Sequence, residues 1–334
     1  MHLSWNVTNQ CNMLCEHCYR DAGTRLEDEL STEEGKKLIR EIKAAGFQMM
    51  IFSGGEPLMR KDLFELGSYA SSLGLRPVLG TNGTLIDREA AQNLKEAGFL
   101  AAGISIDSLD PLKNDSFRKL EGAFNRTLEG IENLKTVGIG FQIHTTVMDW
   151  NVGELENIAD FTAQIGARAY HVFFLVPTGR AVNIEEEALR VAEYEKTLAR
   201  LMEKQKQMEI EIKPTCAPQF IRVADKKGLN LRFSKGCLAG VSYCIINPRG
   251  FVQPCAYLEM SLGNVRERPF DQIWRENQVL NELRTMDYKG KCGICDYREK
   301  CGGCRARAFF YSKGDYMAED EWCLYRPPGA RKHE

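Results

Sequence analysis

The 334-residue sequence contains no apolar run long enough to cross a bilayer, and its start, Met1-His2-Leu3-Ser4-Trp5, lacks a signal-peptide pattern. A cytoplasmic protein with no membrane segment is the expectation. It also lacks an excess of charge of either sign. Lysine and arginine total 44 against 46 aspartates and glutamates, a formal net charge of −2, which leaves no electrostatic footprint for nucleic acid. Short basic pairs, Lys226-Lys227 and Arg305 with Arg307, remain as places to meet an acidic small molecule. What the chain has in plenty is cysteine, 12 residues. In a small secreted chain these would read as disulfides; with no export signal, and with CxxC pairs, they favour metal clusters in a reducing compartment. The length predicts one large domain and a smaller cysteine-rich one.

The apolar alternation of residues 2–8 leads into Cys11-x3-Cys15-x2-Cys18, which places three soft thiolates at the mouth of a first strand. That set suits a 4Fe-4S cluster with one iron left without a protein ligand, free to bind and reduce a substrate or cofactor. Zinc would need a fourth ligand. His17 is available, but it lies inside the loop between two ligating cysteines and would strain a tetrahedral site. A second motif, Ser53-Gly54-Gly55-Glu56-Pro57-Leu58, follows the apolar run Met49-Met50-Ile51-Phe52. Two glycines at a strand end let the backbone approach a ligand, and Glu56 sets an acceptor beside them. Together, Cys11, Cys15, Cys18, Tyr19 and Gly54-Gly55-Glu56-Pro57 resemble the radical S-adenosylmethionine enzymes. The resemblance implies that the three cysteines hold the catalytic 4Fe-4S cluster and that its open iron chelates the amine and carboxylate of S-adenosyl-L-methionine. It also implies that Tyr19 lies near the adenine and that the Gly54-Gly55-Glu56-Pro57 loop contacts the methionine amino group.

Between residues 3 and 184 the pattern reads as repeated strand and helix units, with strands expected at 3–8, 48–52, 76–79, 101–106, 140–147 and 169–174. Ser31 is placed as an N-cap with Glu34 as its capping partner, ahead of a buried stripe of Leu38, Ile39 and Ile42. Parallel crossovers of this length fit a Rossmann-like fold, an eight-unit barrel or an open barrel of six units. The resemblance implies the last, an α/β fold with an open six-unit (β/α)6 partial barrel. The divisions expected are a radical S-adenosylmethionine core at 1–184, a charged helical transition at 185–213 that stops at Pro214, and a cysteine-rich domain at 214–334.

Polar residues at the remaining strand ends line the same face. Thr81-Asn82-Gly83 is a turn signal, and within the family reading Asn82 lies where the chain approaches the nucleoside. Ser105 and Asp107-Ser108 follow the fourth strand and suit ribose or carboxylate contacts. His144 alternates with Ile143 and Thr145, and reads either as a cofactor or substrate contact or as a satisfied barrel-lining group. Arg180, after the sixth strand, pairs with a carboxylate of cofactor or substrate, or else lies on the surface.

Nine of the 12 cysteines lie beyond residue 213. Cys237-x6-Cys244-x10-Cys255 looks like a hairpin carrying thiolates at its ends, and Cys292-x2-Cys295-x5-Cys301-x2-Cys304 is followed by Cys323. The CxxC pairs alone also support a zinc site. The complete pattern resembles the SPASM extension of radical S-adenosylmethionine enzymes. By that resemblance Cys237, Cys244, Cys255 and Cys304 hold one auxiliary 4Fe-4S cluster, and Cys292, Cys295, Cys301 and Cys323 a second. One or two auxiliary clusters are therefore expected. Cys216 is left over as a replacement ligand, a substrate or metal contact, or a buried spare thiol.

The segments Pro214-Thr215-Cys216-Ala217-Pro218, Gly236-Cys237-Leu238-Ala239-Gly240 and Cys301-Gly302-Gly303-Cys304-Arg305-Ala306-Arg307 resemble the alternative heme and heme d1 biosynthesis branch of the family. The short stretch before Cys11 is similar to the iron-coproporphyrin III oxidative decarboxylases. The resemblance implies an iron-tetrapyrrole substrate, conversion of two propionates to vinyl groups to give heme b, a low-potential electron donor and an electron acceptor. Removal of acetates from 12,18-didecarboxysiroheme, other heme d1 chemistry and peptide maturation are the alternatives. A noncatalytic metal scaffold would leave the first three cysteines and the Gly-Gly-Glu-Pro loop without a reason.

Overall fold

In the computed structural model, residues 1–233 and 235–330 are described, and they build a nine-stranded sheet. Strand β1 (His2–Thr8) leads to α1 (Thr32–Ala44), β2 (Met49–Gly54), α2 (Leu63–Ser72), β3 (Arg76–Thr81), α3 (Arg88–Glu96) and β4 (Ala101–Ser105). Next come α4 (Pro111–Arg118), α5 (Ala123–Thr136), β5 (Gly140–Val147), α6 (Leu155–Gln164), β6 (Ala169–Phe174) and α7 (Val191–Gln205). The remaining elements are β7 (Glu211–Thr215), α8 (Phe220–Lys226), β8 (Tyr243–Ile246), β9 (Val252–Gln253), α9 (Phe270–Glu276), α10 (Gln278–Thr285), α11 (Gly290–Gly293) and α12 (Arg305–Tyr311). The six strands expected from the alternation are all present, with ends shifted by up to two residues.

The strand order is β7-β6-β5-β4-β3-β2-β1-β8-β9, and every pairing is parallel except β8 with β9. Alternation within each strand divides the sheet into two faces. One face is apolar and buried under the helices: Leu3, Trp5 and Val7 of β1, Met50 and Phe52 of β2, Ile143 of β5, and Tyr170, Val172 and Phe174 of β6. The opposite, interior face carries Ser4 and Asn6 of β1, Gln142 and His144 of β5, His171 of β6 and Lys213 of β7. Parallel sheets of this kind present their ligand-binding loops at the carboxyl ends of the strands.

One strand and one strand pairing lie outside the sequence expectation. Residues 211–213, read as the end of the charged helical transition, and Pro214, read as its stop, lie in edge strand β7 against β6. Pro214 is tolerated there because an edge strand has one side free of ladder bonds, so a missing N–H costs nothing. Strand β8 pairs with β1 in register, Leu3 opposite Cys244 and Trp5 opposite Ile246, so the cysteine-rich segment extends the main sheet. The hairpin expected between Cys237 and Cys255 exists as β8 and β9, but it carries Cys244 mid-strand rather than at an end. Helix α1 has the full capping box, with Ser31 and Glu34 exchanging hydrogen bonds.

Candidate active site

Cys11, Cys15 and Cys18 stand together on the loop after β1. Burial pushes the Cys11 thiol up to about 12, with Glu56 and the other two thiols adding to the effect, and pushes Cys15 up to about 11. Thiols so placed need a cation or metal to ionise, which is the condition for a bound cluster. Backbone donors already point at the sulfurs: Met13 N lies 3.4 Å from Cys11 Sγ and Ala22 N 3.5 Å from Cys18 Sγ. Three thiols, with no fourth thiol beside them among the described residues, fit a 4Fe-4S group that keeps one iron open. His17, the zinc alternative, is turned elsewhere. Its ring stacks on Phe117 at 4.2 Å, and its Nε2 lies 3.6 Å from Asp107 Oδ2.

The Gly54-Gly55 pair is demanded by a close approach of two backbones. Gly55 N donates to Thr8 O at 2.9 Å and Glu56 N to Gln10 O at 2.7 Å, and a Cβ at Gly55 would overlap the Gln10 carbonyl oxygen. Gly54 adds φ +138°, a conformation side chains avoid. Pro57 then opens a short 3-10 turn, residues Pro57–Met59, and Glu56 is its N-cap. The Glu56 carboxylate is fully buried and accepts from Thr81 Oγ1 at 2.8 Å, Asn82 N at 2.9 Å and Leu58 N at 3.2 Å. Burial raises it to about 7, against the pull of those donors. Asn82 Nδ2 in turn donates to Asn12 Oδ1 at 2.8 Å, tying the β3 turn to the cysteine loop. Tyr19 OH donates to Asn6 Oδ1 at 3.1 Å and its ring lies 5.2 Å from that of Tyr257.

Two residues expected to bind ligand carboxylates or sugar are engaged within the protein. Asp107 is fully buried, paired with Arg118 at 2.6 Å and bonded by Thr146 N at 2.7 Å. Arg118 also supplies the carbonyl that Cys15 Sγ reaches at 3.6 Å. The Arg180 guanidinium donates to Cys15 O at 2.9 Å and Ala22 O at 2.7 Å and pairs with Asp21, so it clamps the cysteine loop. Ser105 and His144 face each other in register on the interior face and are half-buried. Arg118, Asn6 and Tyr257 carried no motif in the sequence, and Thr81 was read only as part of a turn; spatial proximity alone places them at the site.

The C-terminal thiols form two groups. Cys237, Cys255 and Cys304 lie together as expected, but their fourth neighbour is Cys216, not Cys244. The Cys216 thiol hydrogen-bonds Cys304, which holds Cys304 below the ordinary thiol range while Cys216 is pushed well above it. Cys216 adopts φ +57°, a left-handed conformation rare outside glycine, and Arg307 Nη2 fixes its carbonyl at 2.9 Å. Cys244 is fully buried on the helix-covered face, among Leu3, Trp5 and Ile246. It lies across the sheet from its neighbour Tyr243, whose hydroxyl reaches Ser4 on the interior face. The strand's alternation therefore removes Cys244 from the group. Cys292, Cys295, Cys301 and Cys323 line one recess.

Asp320 joins the two groups. Its carboxylate takes Arg307 Nε at 2.9 Å, Gln219 Nε2 at 2.7 Å and Cys304 N at 2.8 Å, while its own N–H points to Cys292 Sγ at 3.4 Å. Arg305 and Arg307 are completely buried and form no surface basic patch. Each four-thiol group matches the donor count of a fully ligated 4Fe-4S cluster.

Residues 5–162 match the Radical SAM superfamily, and residues 237–305 match the SPASM iron-sulfur cluster-binding domain. Over 97% of its length the chain is 43% identical to the AdoMet-dependent heme synthase of Methanosarcina barkeri, covering 96% of that protein. It is 35% identical over 81% of its length to the Fe-coproporphyrin III synthase of the same organism, covering 73% of it. Among solved structures, Streptococcus suis SuiB bound to precursor peptide SuiA superposes with a TM-score of 0.78 over 97% of this chain and 76% of that one, at 16% identity, which is a likeness of fold.

Proposed function

This chain belongs to the Radical SAM superfamily, as a SPASM-bearing enzyme related to the AdoMet-dependent heme synthases, and on that premise we propose that it oxidatively decarboxylates iron-coproporphyrin III to heme b. The observation that carries the reading is the near full-length similarity to a heme synthase, higher in identity and coverage than that to the Fe-coproporphyrin III synthase. Cys11, Cys15 and Cys18 would hold the catalytic cluster. Cys216, Cys237, Cys255 and Cys304 would hold one auxiliary cluster, and Cys292, Cys295, Cys301 and Cys323 another. With S-adenosylmethionine bound, the catalytic cluster supplies reductive cleavage of the cofactor and hydrogen-atom abstraction.

The chain's own residues set geometry. Arg180 and the Asp107–Arg118 pair fix the cysteine loop, while Glu56 locks the Gly-Gly turn against Thr81 and Asn82 so that the backbone presents one fixed edge to the cofactor. Tyr19 and Tyr257 offer aromatic faces beside it. The interior face of β1 and β4–β7, opposite the packed core, is left to the substrate. For each propionate, one hydrogen atom leaves the carbon beta to the carboxyl carbon and one electron goes to an acceptor. The bond to the carboxylate then breaks, giving carbon dioxide and a vinyl group.

Anaerobic incubation of the reconstituted enzyme with iron-coproporphyrin III, S-adenosylmethionine, a reductant and an electron acceptor tests this. Mass spectrometry should show two successive losses of carbon dioxide plus two hydrogens, through a monovinyl intermediate. Inertness toward iron-coproporphyrin III, alongside loss of acetates from 12,18-didecarboxysiroheme, would replace the assignment by the neighbouring reaction.

A further inference from the structure

On the interior face of the sheet, Ser105, His144, His171 and Lys213 stand opposite one another in one row across β4, β5, β6 and β7, all half-buried. The rings of His144 and His171 are stacked, 5.2 Å between centroids and 14° from parallel. Gly103 makes room for this, since a Cβ there would lie 2.5 Å from His144 Cε1. Gln142 Nε2 lies 2.7 Å from His144 Nε2, so that nitrogen accepts from the amide and the ring is held in one orientation.

His171 differs. Among the described residues neither of its ring nitrogens has a hydrogen-bond partner; Phe173 and Phe233 flank the ring, and its nitrogens stay accessible from the interior face. Burial, together with His144 and Lys213, keeps the His171 proton off well below the usual imidazole range, and burial lowers His144 to about 4. Neutral imidazole with a free lone pair is the form that binds iron. Lys213, next in the row, sits with Nζ 3.8 Å from the centre of the Phe233 ring and has no carboxylate in ion-pair distance among the described residues. A half-buried cation without a counter-ion and a half-buried imidazole without a partner, on adjacent strands, suit a ligand that brings both a metal and carboxylates.

Resting on the iron-tetrapyrrole reading above, we propose that His171 is an axial ligand of the substrate iron, that His144 is the residue positioning its ring, and that Lys213 pairs with a substrate carboxylate. Such an arrangement fixes the macrocycle at its centre and at one edge, which determines which propionate reaches the cofactor.

The test uses the full chain with clusters reconstituted, isotope-labelled histidine and ferric iron-coproporphyrin III. Pulsed EPR should detect a histidine nitrogen coupled to the tetrapyrrole iron in the wild-type protein. His171→Ala should abolish that coupling, unlabelled imidazole should occupy the position, and metal-free coproporphyrin III should bind both proteins equally. His171→Gln, closer in volume, should behave as the alanine variant does, and iron-sulfide content confirms folding of each. Lys213→Gln should keep the nitrogen coupling and weaken binding of both ligands roughly tenfold, the equivalent of about 1.4 kcal/mol. A coupling unchanged in both His171 variants, or no coupled nitrogen in wild-type protein that does bind, overturns the ligand assignment and leaves the proposed reaction standing. No binding of iron-coproporphyrin III by the wild-type protein overturns both.

Discussion

Cys216 and Cys244 separate two kinds of buried cysteine by where their backbones aim them. Cys216 is held in a left-handed conformation against Cys304, whereas Cys244 packs with Leu3 and Trp5 under the helices. Replacing Cys216 by alanine is expected to lower auxiliary iron and product formation. Cys244→Ala should keep the full iron content and lose only about 1 kcal/mol of stability, the ordinary cost of a small core truncation. Iron and sulfide assays on the two purified variants decide this, and equal iron loss in both would reject the grouping. Incubated anaerobically with S-adenosylmethionine and a reductant, Cys11→Ala, Cys15→Ala or Cys18→Ala should form no 5'-deoxyadenosine, measured by chromatography. Asp320 is the other decisive residue. Arg307 and its hydrogen bonds hold its carboxyl at about 2 despite complete burial. Asp320→Ala leaves the guanidinium uncompensated and is expected to cost about 3–5 kcal/mol, visible as a large drop in thermal midpoint.

Single elements show how tightly the local chemistry is set. The turn after β2 reaches the cysteine loop only because Gly55 has no side chain, so Gly55→Ala should displace the loop and depress cofactor cleavage more than overall stability. Cleavage rate and melting temperature measured together distinguish the two. Helix α1 illustrates a charge acting in two contexts, since Glu34 completes the capping box and also pairs with Arg266 from the cysteine-rich segment. Arg266 holds the Glu34 carboxyl at about 2, below its ordinary 4.5. The native state therefore gains stability from this group above pH ~4.5, and loses it as pH falls toward ~2. Both side chains are partly solvated, so the contribution is at most about 1 kcal/mol. Glu34→Gln should lower the melting temperature near neutral pH, and the gap to wild type should close on acidification; a gap independent of pH would contradict the ion pair.

At the scale of the whole molecule, the cysteine-rich segment is part of the main sheet. Strand β8 covers the edge of β1, the strand that carries Leu3 and Trp5 into the core and leads directly to Cys11. A fragment ending at residue 233 would expose that edge and the apolar surface shared with Cys244, Ile246 and Phe270. Uncovered edges of this kind template association with other chains. The fragment is expected to elute as aggregate in size-exclusion chromatography, whereas the full chain should not. No helix among the described residues is long and apolar enough to cross a membrane.

Local order in the chain settled a great deal. The alternation and cap signals located six strands and the start of α1, because period-2 patterning and capping are properties of neighbouring residues. The spacing of Cys11, Cys15 and Cys18 and the Gly54-Gly55-Glu56-Pro57 turn marked two candidate loops that the fold brings together, because each motif lies within its own short segment. What needed tertiary structure were partners far apart in sequence. Cys216 is brought to Cys304 across 88 positions, a difference of residue numbers (304 less 216), by the turn that Arg307 holds. Asp107 and Arg180, both attractive as ligand contacts, are committed to the cysteine loop once Arg118 and Cys15 arrive beside them. The row of His144, His171 and Lys213 exists only through strand register, which no spacing along one chain encodes, because hydrogen bonding between strands selects it from the whole sheet at once.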